Sequence, residues 1–176
     1  IDLNFRNDLI DFCESLNYTP NTIGKYIQVT KYFMSEAHDK ELHNNNAYLH
    51  RKFKKPKPYQ SHHVYLTNNE LTKVFELDLS NNPKLDQARD LFLIGAYTGL
   101  RVSDFNNLTP ENIISHQGND LLRVNTQKTD KEVYIPLRDE VKAIFKKHGN
   151  QPPKRMPDQH INLNIKDVCE NAGIDD

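Results

Sequence analysis

The stretch Ala96-Tyr97-Thr98-Gly99-Leu100-Arg101-Val102-Ser103-Asp104-Phe105-Asn106-Asn107-Leu108 decides how the rest of the chain is read. Before it, residues 84–98 carry Leu85, Ala88, Leu91, Phe92, Ile94, Gly95 and Ala96, a density that predicts a buried helix. Gly99 suits the left-handed residue that ends such a helix. A short helix resumes over 102–108, and Thr109-Pro110 opens a further turn. Arg101 thus stands at the end of a buried helix, on a rigid base. From there its planar guanidinium can meet two phosphate oxygens at once. Arginines in such places are more often paired with a carboxylate, here Asp104 or Asp90. Taken alone, Arg101 leaves both roles open.

Strand signals follow. Leu121-Leu122-Arg123-Val124-Asn125-Thr126 and Glu132-Val133-Tyr134-Ile135-Pro136-Leu137 flank the polar turn Gln127-Lys128-Thr129-Asp130-Lys131, which reads as a β-hairpin. Lys128 falls at its tip, where a long amine is usually solvated but can reach a ligand. Ile113-Ile114 is a candidate third strand. Helix returns over 138–148, with Val141, Ala143, Ile144 and Phe145. Pro152-Pro153 and Pro157 predict a loop, and a last helix is expected near 160–172.

Toward the N-terminus, Thr67-Asn68-Asn69-Glu70 has the form of a capping box, followed by Leu71, Val74 and Phe75. Asn82-Pro83 turns the chain. Residues 3–17 place Leu3, Phe5, Leu9, Ile10, Phe12, Cys13 and Leu16 near helical spacing. Thr19 and Pro20 suit the cap and first turn of a second helix. That helix carries Ile23, Tyr26, Ile27, Thr30, Phe33, Met34 and Ala37. Two such helices cannot bury their faces alone, so a small helical bundle is expected. Residues 40–64 change character. Asn44-Asn45-Asn46 breaks the periodicity, and Arg51, Lys52, Lys54, Lys55 and Lys57 crowd together beside Pro56 and Pro58. This predicts an extended interdomain linker with a basic surface. The expected division is 1–50, 51–63 and 64–176.

The whole chain is polar. Of 176 residues, 36% are hydrophobic and 27% charged, and no apolar run approaches a membrane span. Formal net charge is −1, so bulk charge does not mark a nucleic-acid binder and only the local basic run does. Cys13 and Cys169 read as buried free thiols suited to a reducing cytoplasm. No Cys or His spacing has the form of a zinc site, and the neighbours His62-His63 would point opposite ways in a strand. No metal is expected.

Arg101 and Lys128 gain meaning together. Residues Ala96 through Leu108 resemble the first arginine box of the tyrosine recombinases, the phage-integrase type that includes integrases of mobile elements. Gln127 through Leu137 resemble that family's lysine-bearing hairpin, and Tyr65-Leu66-Thr67 through Leu71 the entry to its catalytic domain. Thr19-Pro20-Asn21-Thr22-Ile23 through Tyr26 resemble the helical core-binding domain that precedes it. The four segments stand in the family's order. The fold this implies is mainly α with a small antiparallel β-sheet. A SAM-like core-binding bundle over 1–50 and a basic linker over 51–63 would precede the first part of an α+β catalytic domain over 64–176.

The resemblance also implies chemistry. A tyrosine attacks a DNA phosphodiester to form a 3′-phosphotyrosine, so bond energy is kept for rejoining and no cofactor is required. Arginines stabilise charge developing on the phosphate oxygens, and a lysine protonates the leaving 5′ oxygen. By position Arg101 takes the first arginine's role and Lys128 the lysine's. Asp104 takes a supporting role, bracing the arginine or its helix. Contacts to double-stranded DNA outside the site would come from Asn21, Thr22 and Lys25 at a helix start, and from Arg51, Lys52, Lys54 and Lys55 along the backbone. Sister protomers in a DNA-bound tetramer, and a place at the bacterial nucleoid in the cytoplasm, are likewise implied.

The sequence also departs from the pattern. No histidine has arginine three residues later, so the family's His-x-x-Arg box is absent. Tyr26, Tyr32, Tyr48, Tyr59 and Tyr65 precede the arginine box, and Tyr97 and Tyr134 are expected to serve packing. The expectation is a fragment of a longer protein, cut at both ends, that binds DNA without a nucleophile. A non-catalytic regulatory relative is the alternative, and a helical protein with a coincidental arginine and lysine is a third reading.

Overall fold

The computed structural model describes residues 1–60 and 65–174, and the chain divides into two compact units, Ile1–His63 and Val64–Asp176. The His62-His63 pair lies outside the described residues.

The first unit holds two α-helices, α1 (Leu3–Ser15) and α2 (Pro20–Asp39), and a 3-10 turn over Ala47–Leu49. Asp2 caps α1 by accepting the Phe5 N–H at 2.9 Å. Thr19 caps α2 by accepting the Thr22 N–H at 3.3 Å, with Pro20 in the first turn. Cys13, Ile23 and Ile27 are buried, together with Tyr48 and Phe53.

Among the described residues the helical first unit holds one α-helix pair, with Tyr48 and Phe53 buried in its core. One expectation changes here. The basic segment is not a free extended linker. Phe53, wholly buried, anchors it. The Arg6 guanidinium donates twice to the Lys54 carbonyl, at 2.8 and 3.0 Å. Asn21 and Tyr59 exchange two hydrogen bonds, at 2.9 and 3.1 Å. An apolar residue among five cations is what decides this, and composition hides it.

The second unit runs α3 (Asn68–Glu76), α4 (Pro83–Thr98), α5 (Val102–Phe105), a 3-10 turn (Pro110–Asn112), β1 (Ile113–His116), β2 (Asn119–Thr126), β3 (Lys131–Pro136), α6 (Asp139–Lys147) and α7 (Asp158–Asn171). The capping box at Thr67 and Glu70 is formed. The sheet is antiparallel in the order β1-β2-β3, with Leu122 opposite Ile135 and Val124 opposite Val133. Leu122, Val124 and Thr126 alternate onto the buried face of β2, as a half-buried strand requires. Pro136 is tolerated because β3 is an edge strand.

Helix α4 is the central element. Leu91, Leu93 and Ile94 are buried with Val141, Ile144 and Phe145 of α6 and Ile161 and Val168 of α7 in one apolar core. One polar cluster crosses it. Asp90, 1% exposed, accepts from Arg89 (3.1 Å), Lys147 (2.7 Å) and His148 (2.8 Å). Asp86 pairs with the same Arg89 and Lys147. The cluster locks the C-terminal end of α6 onto α4. It also spends Asp90, one of the two carboxylates that sequence offered to Arg101.

Candidate DNA-phosphate site

The corner between α4 and α5 builds the site. Gly99 ends α4 in the left-handed conformation (φ 68°), its N–H bonded to the Gly95 carbonyl at 2.9 Å. The chain then turns through Leu100 and enters α5, whose N-cap is Arg101 itself, in extended conformation. The Arg101 carbonyl accepts the N–H groups of Asp104 (2.8 Å) and Phe105 (2.9 Å), so its backbone is held while its side chain is exposed. Among the described residues Arg101 makes no ion pair and no side-chain hydrogen bond.

The second carboxylate, Asp104, is also committed elsewhere. It is 4% exposed, and its Oδ1 accepts the Gln127 backbone N–H at 3.0 Å. Its Oδ2 is buried with no hydrogen-bond partner among the described residues. Asp104 therefore braces the root of the β2–β3 turn, not the arginine. The turn is pinned again from inside. Thr126 Oγ1 donates to the Lys131 carbonyl (3.0 Å), accepts the Lys131 N–H (3.3 Å) and lies 2.8 Å from the Thr129 hydroxyl. The Asn125 amide donates to Asp130 Oδ1 at 2.9 Å, and Asp130 takes a positive φ of 48° that closes the turn. Lys128 sits exposed within it. A cleft of about 280 Å³ is lined by Thr98, Gly99, Arg101 and Asp104 on one side and by Thr126, Val133 and Ile135 of the hairpin on the other. The two motifs thus share one cleft.

Gly95 and Asn106 are supports that sequence reading missed. A Cβ on Gly95 would lie 2.5 Å from the Phe105 ring, so glycine is what lets α5 pack on α4. Asn106, 3% exposed, donates to the Met156 carbonyl (2.6 Å) and Asp158 (2.9 Å) and accepts the Met156 N–H (3.1 Å), fixing the loop before α7. A glycine inside a dense helix was a usable signal for the first. Nothing local marks the second.

Two tyrosines of the second unit, Tyr97 and Tyr134, are expected from sequence to serve packing. Tyr97 is half-buried, with the Arg138 guanidinium 4.9 Å from its ring centroid. Burial, then the Glu140 carboxylate, pushes its phenol up against the opposing pull of Arg138. Tyr134, expected to pack, is instead exposed. Its hydroxyl donates to Glu132 at 2.7 Å, and that bond raises its pKa. The side chain follows the solvent face of β3, opposite Arg123.

In the first unit, Asn21 spends its amide on Tyr59, and the Thr22 hydroxyl lies 3.1 Å from that of Thr19. Lys25 is exposed. It lines a groove of about 290 Å³ with Gly24, Gln28 and Lys55, and Lys55 donates to Gln28. Arg51, Lys52 and Lys54 are exposed beyond it. No described helix is long and apolar enough to cross a membrane. Among the described residues no cluster of three His, Cys, Asp or Glu side chains could hold a metal ion.

No family model and no curated protein matches the sequence. Solved structures do. The XerH site-specific recombinase bound to palindromic difH substrate aligns over 100% of this chain and 57% of its own, with a TM-score of 0.76 at 16% identity. A lambda integrase tetramer bound to a Holliday junction aligns over 100% and 52%, with a TM-score of 0.73 at 16% identity. XerA recombinase aligns over 98% and 71%, with a TM-score of 0.51 at 21% identity. The chain therefore has the tyrosine-recombinase fold, mainly α with a small antiparallel sheet, and spans little more than half the length of the first two.

Proposed function

We propose that these residues belong to a site-specific DNA recombinase or integrase of a mobile element, and that Arg101 and Lys128 hold the phosphate to be cut. The observation that carries this is the unpaired Arg101. Asp90 is held by three other side chains and Asp104 accepts the Gln127 N–H, so among the described residues an exposed guanidinium on a fixed backbone lines the same cleft as Thr126, at the root of the Lys128 turn. An arginine without a protein partner suits a ligand anion. In the full reaction Arg101 would stabilise charge on the non-bridging oxygens as a tyrosine attacks phosphorus. Lys128 would give its proton to the departing 5′ oxygen, leaving a 3′-phosphotyrosine that a 5′ hydroxyl can later displace. Lys25, Lys55, Arg51, Lys52 and Lys54 would hold the duplex by sequence-independent phosphate contacts. Thr22 keeps a place at that helix start, and Asn21 contributes through the Tyr59 anchor.

Residues 1–176 contain no His-x-x-Arg pair, which supports the reading that by themselves they bind DNA and form no covalent adduct. Neither a cofactor nor a metal enters this chemistry. DNA-bound tetramers at the bacterial nucleoid are the assembly and place that this reading implies.

Fluorescence anisotropy with duplex DNA tests the reading. Binding at low salt that weakens steeply as salt rises is expected. A folded chain that fails to bind at low salt overturns it. In a chain that also carries a His-x-x-Arg pair and the attacking tyrosine, Arg101→Ala is expected to keep DNA binding and lose strand cleavage on a suicide substrate; normal cleavage by that variant would remove Arg101 from the site.

A further inference from the structure

One hydrogen bond in the first unit fixes which way an exposed amide faces. Lys55 donates to the Gln28 side-chain oxygen in the groove on α2 that Lys25 also lines. An ammonium has only N–H groups to offer, so it can meet the amide oxygen and never the amide nitrogen. Chemistry therefore sets the polarity of the Gln28 amide: Oε1 is taken by Lys55, and Nε2 is the free arm. The lysine is itself seated. Its stem lies over Gly24, where an added Cβ would sit 3.6 Å from the Lys55 Cδ and 3.7 Å from its Cβ. Gly24 and Gln28 stand four residues apart, on one face of α2. The chain on either side of Lys55 is tied down, by Arg6 at the Lys54 carbonyl and by Asn21 at Tyr59. Gln28 and Lys55 are both exposed, so the N–H groups that remain on each are open to a ligand.

We infer that Gln28 selects a guanine in the DNA major groove, with Lys55 as the residue that positions it. This rests on the DNA-binding reading and names the base that the first unit prefers. A free glutamine suits adenine, because it can accept from N6 and donate to N7 at once. Gln28 has lost the accepting half of that pairing to Lys55. What it presents, beside the ammonium, is donors only. The guanine edge carries two acceptors, N7 and O6, and no donor, so it matches. Adenine would set its N6 amino group against donors, and thymine offers the single acceptor O4. Discrimination thus comes as much from the mismatch with adenine as from the fit to guanine. Lys25 and the remaining N–H groups of Lys55 serve the phosphates alongside. Holding and reading come from neighbouring side chains of one groove.

Selection of the chain on a pool of randomised duplexes, followed by anisotropy on the selected duplex, is the test. A preferred guanine at one position is expected, with A·T in its place binding roughly tenfold more weakly. Replacing that base by 7-deazaguanine, which lacks the N7 acceptor, should weaken binding severalfold. Gln28→Ala is expected to abolish the preference for G·C over A·T there. Lys55→Met keeps the stem and removes the donor, which frees the Gln28 oxygen, so the preference should move toward adenine. Lys55→Arg, still a donor, should keep guanine. Both side chains are exposed, so the variants should fold, with helicity read by circular dichroism. Three results overturn the inference and leave the DNA-binding reading standing: a guanine preference that survives Gln28→Ala, one that survives Lys55→Met, or binding with no base preference. Failure of the folded chain to bind any duplex at low salt overturns both.

Discussion

Arg101 and Lys128 lie on different elements, and what relates them is a third side chain. Asp104 stands three residues after the arginine, yet its carboxylate bonds the backbone beside the lysine. Sequence spacing made Asp104 a partner for Arg101. The structure makes it a link between the two cations, and Arg101 is left free as a result. If both cations contact phosphate, Arg101→Ala and Lys128→Ala should each reduce the salt slope of DNA binding by about 1, read by anisotropy over a salt series. An unchanged slope would remove that residue from the contact. Glu70 sets a pH dependence. Bonds from the Thr67 backbone N–H and then its hydroxyl, with help from Lys73, hold the Glu70 carboxyl below its ordinary value. A lowered folded pKa contributes stability that is present above the unfolded value, about 4.3, and is lost as pH falls through the folded one. The start of α3 should therefore lose amide protection in acid below about pH 4. In Glu70→Ala that protection should be reduced at neutral pH and lose this acid step.

At the level of elements, Gly95 is the position most exposed to test. An added methyl meets the Phe105 ring, so Gly95→Ala must push α5 away from α4 or twist the ring. A loss of about 1–3 kcal/mol in urea unfolding is expected, as for overpacking elsewhere. DNA affinity should fall with it, because Arg101 caps the displaced helix. Phe105→Leu in the same chain should recover part of both. The elements themselves were largely legible. Caps at Thr19, Thr67 and Gly99 and the alternation in β2 are local chemistry, and local chemistry is written in neighbouring residues. The 3-10 turns and the basic segment were less legible. Phe53 reads as an apolar residue in a cationic run, and only the helices beside it explain its burial. The site was legible as two motifs and illegible as a cleft, since Asp104 and Asn106 act through backbone groups far along the chain.

Across the whole molecule, polar groups inside the second unit do as much to fix its form as the apolar core. Asp90 takes three cationic or potentially cationic side chains where water cannot, and joins α4 to the end of α6. Asp90→Ala leaves Arg89, 7% exposed, with Asp86 as its one carboxylate beside the Leu77 carbonyl, so a loss of about 3 kcal/mol in denaturant unfolding is expected. A loss under about 1 kcal/mol, the size of a surface pair, would mean that the cluster is solvated. The net charge of −1 hides this sorting. Asp90, Asp104 and Arg89 are drawn inward to build the frame, while Arg101, Lys128 and the 51–57 cations stay outside.

The bond from Gln127 to Asp104 also bears on protein engineering. A loop carrying Lys128, grafted onto another scaffold by its turn alone, would bring the amine without the carboxylate that seats it. Lengthening the turn by one residue would shift the Gln127 N–H out of register and cost the same seat. The transferable part is the helix start and the hairpin together, and variation at position 104 should be chosen jointly with the 126–131 turn.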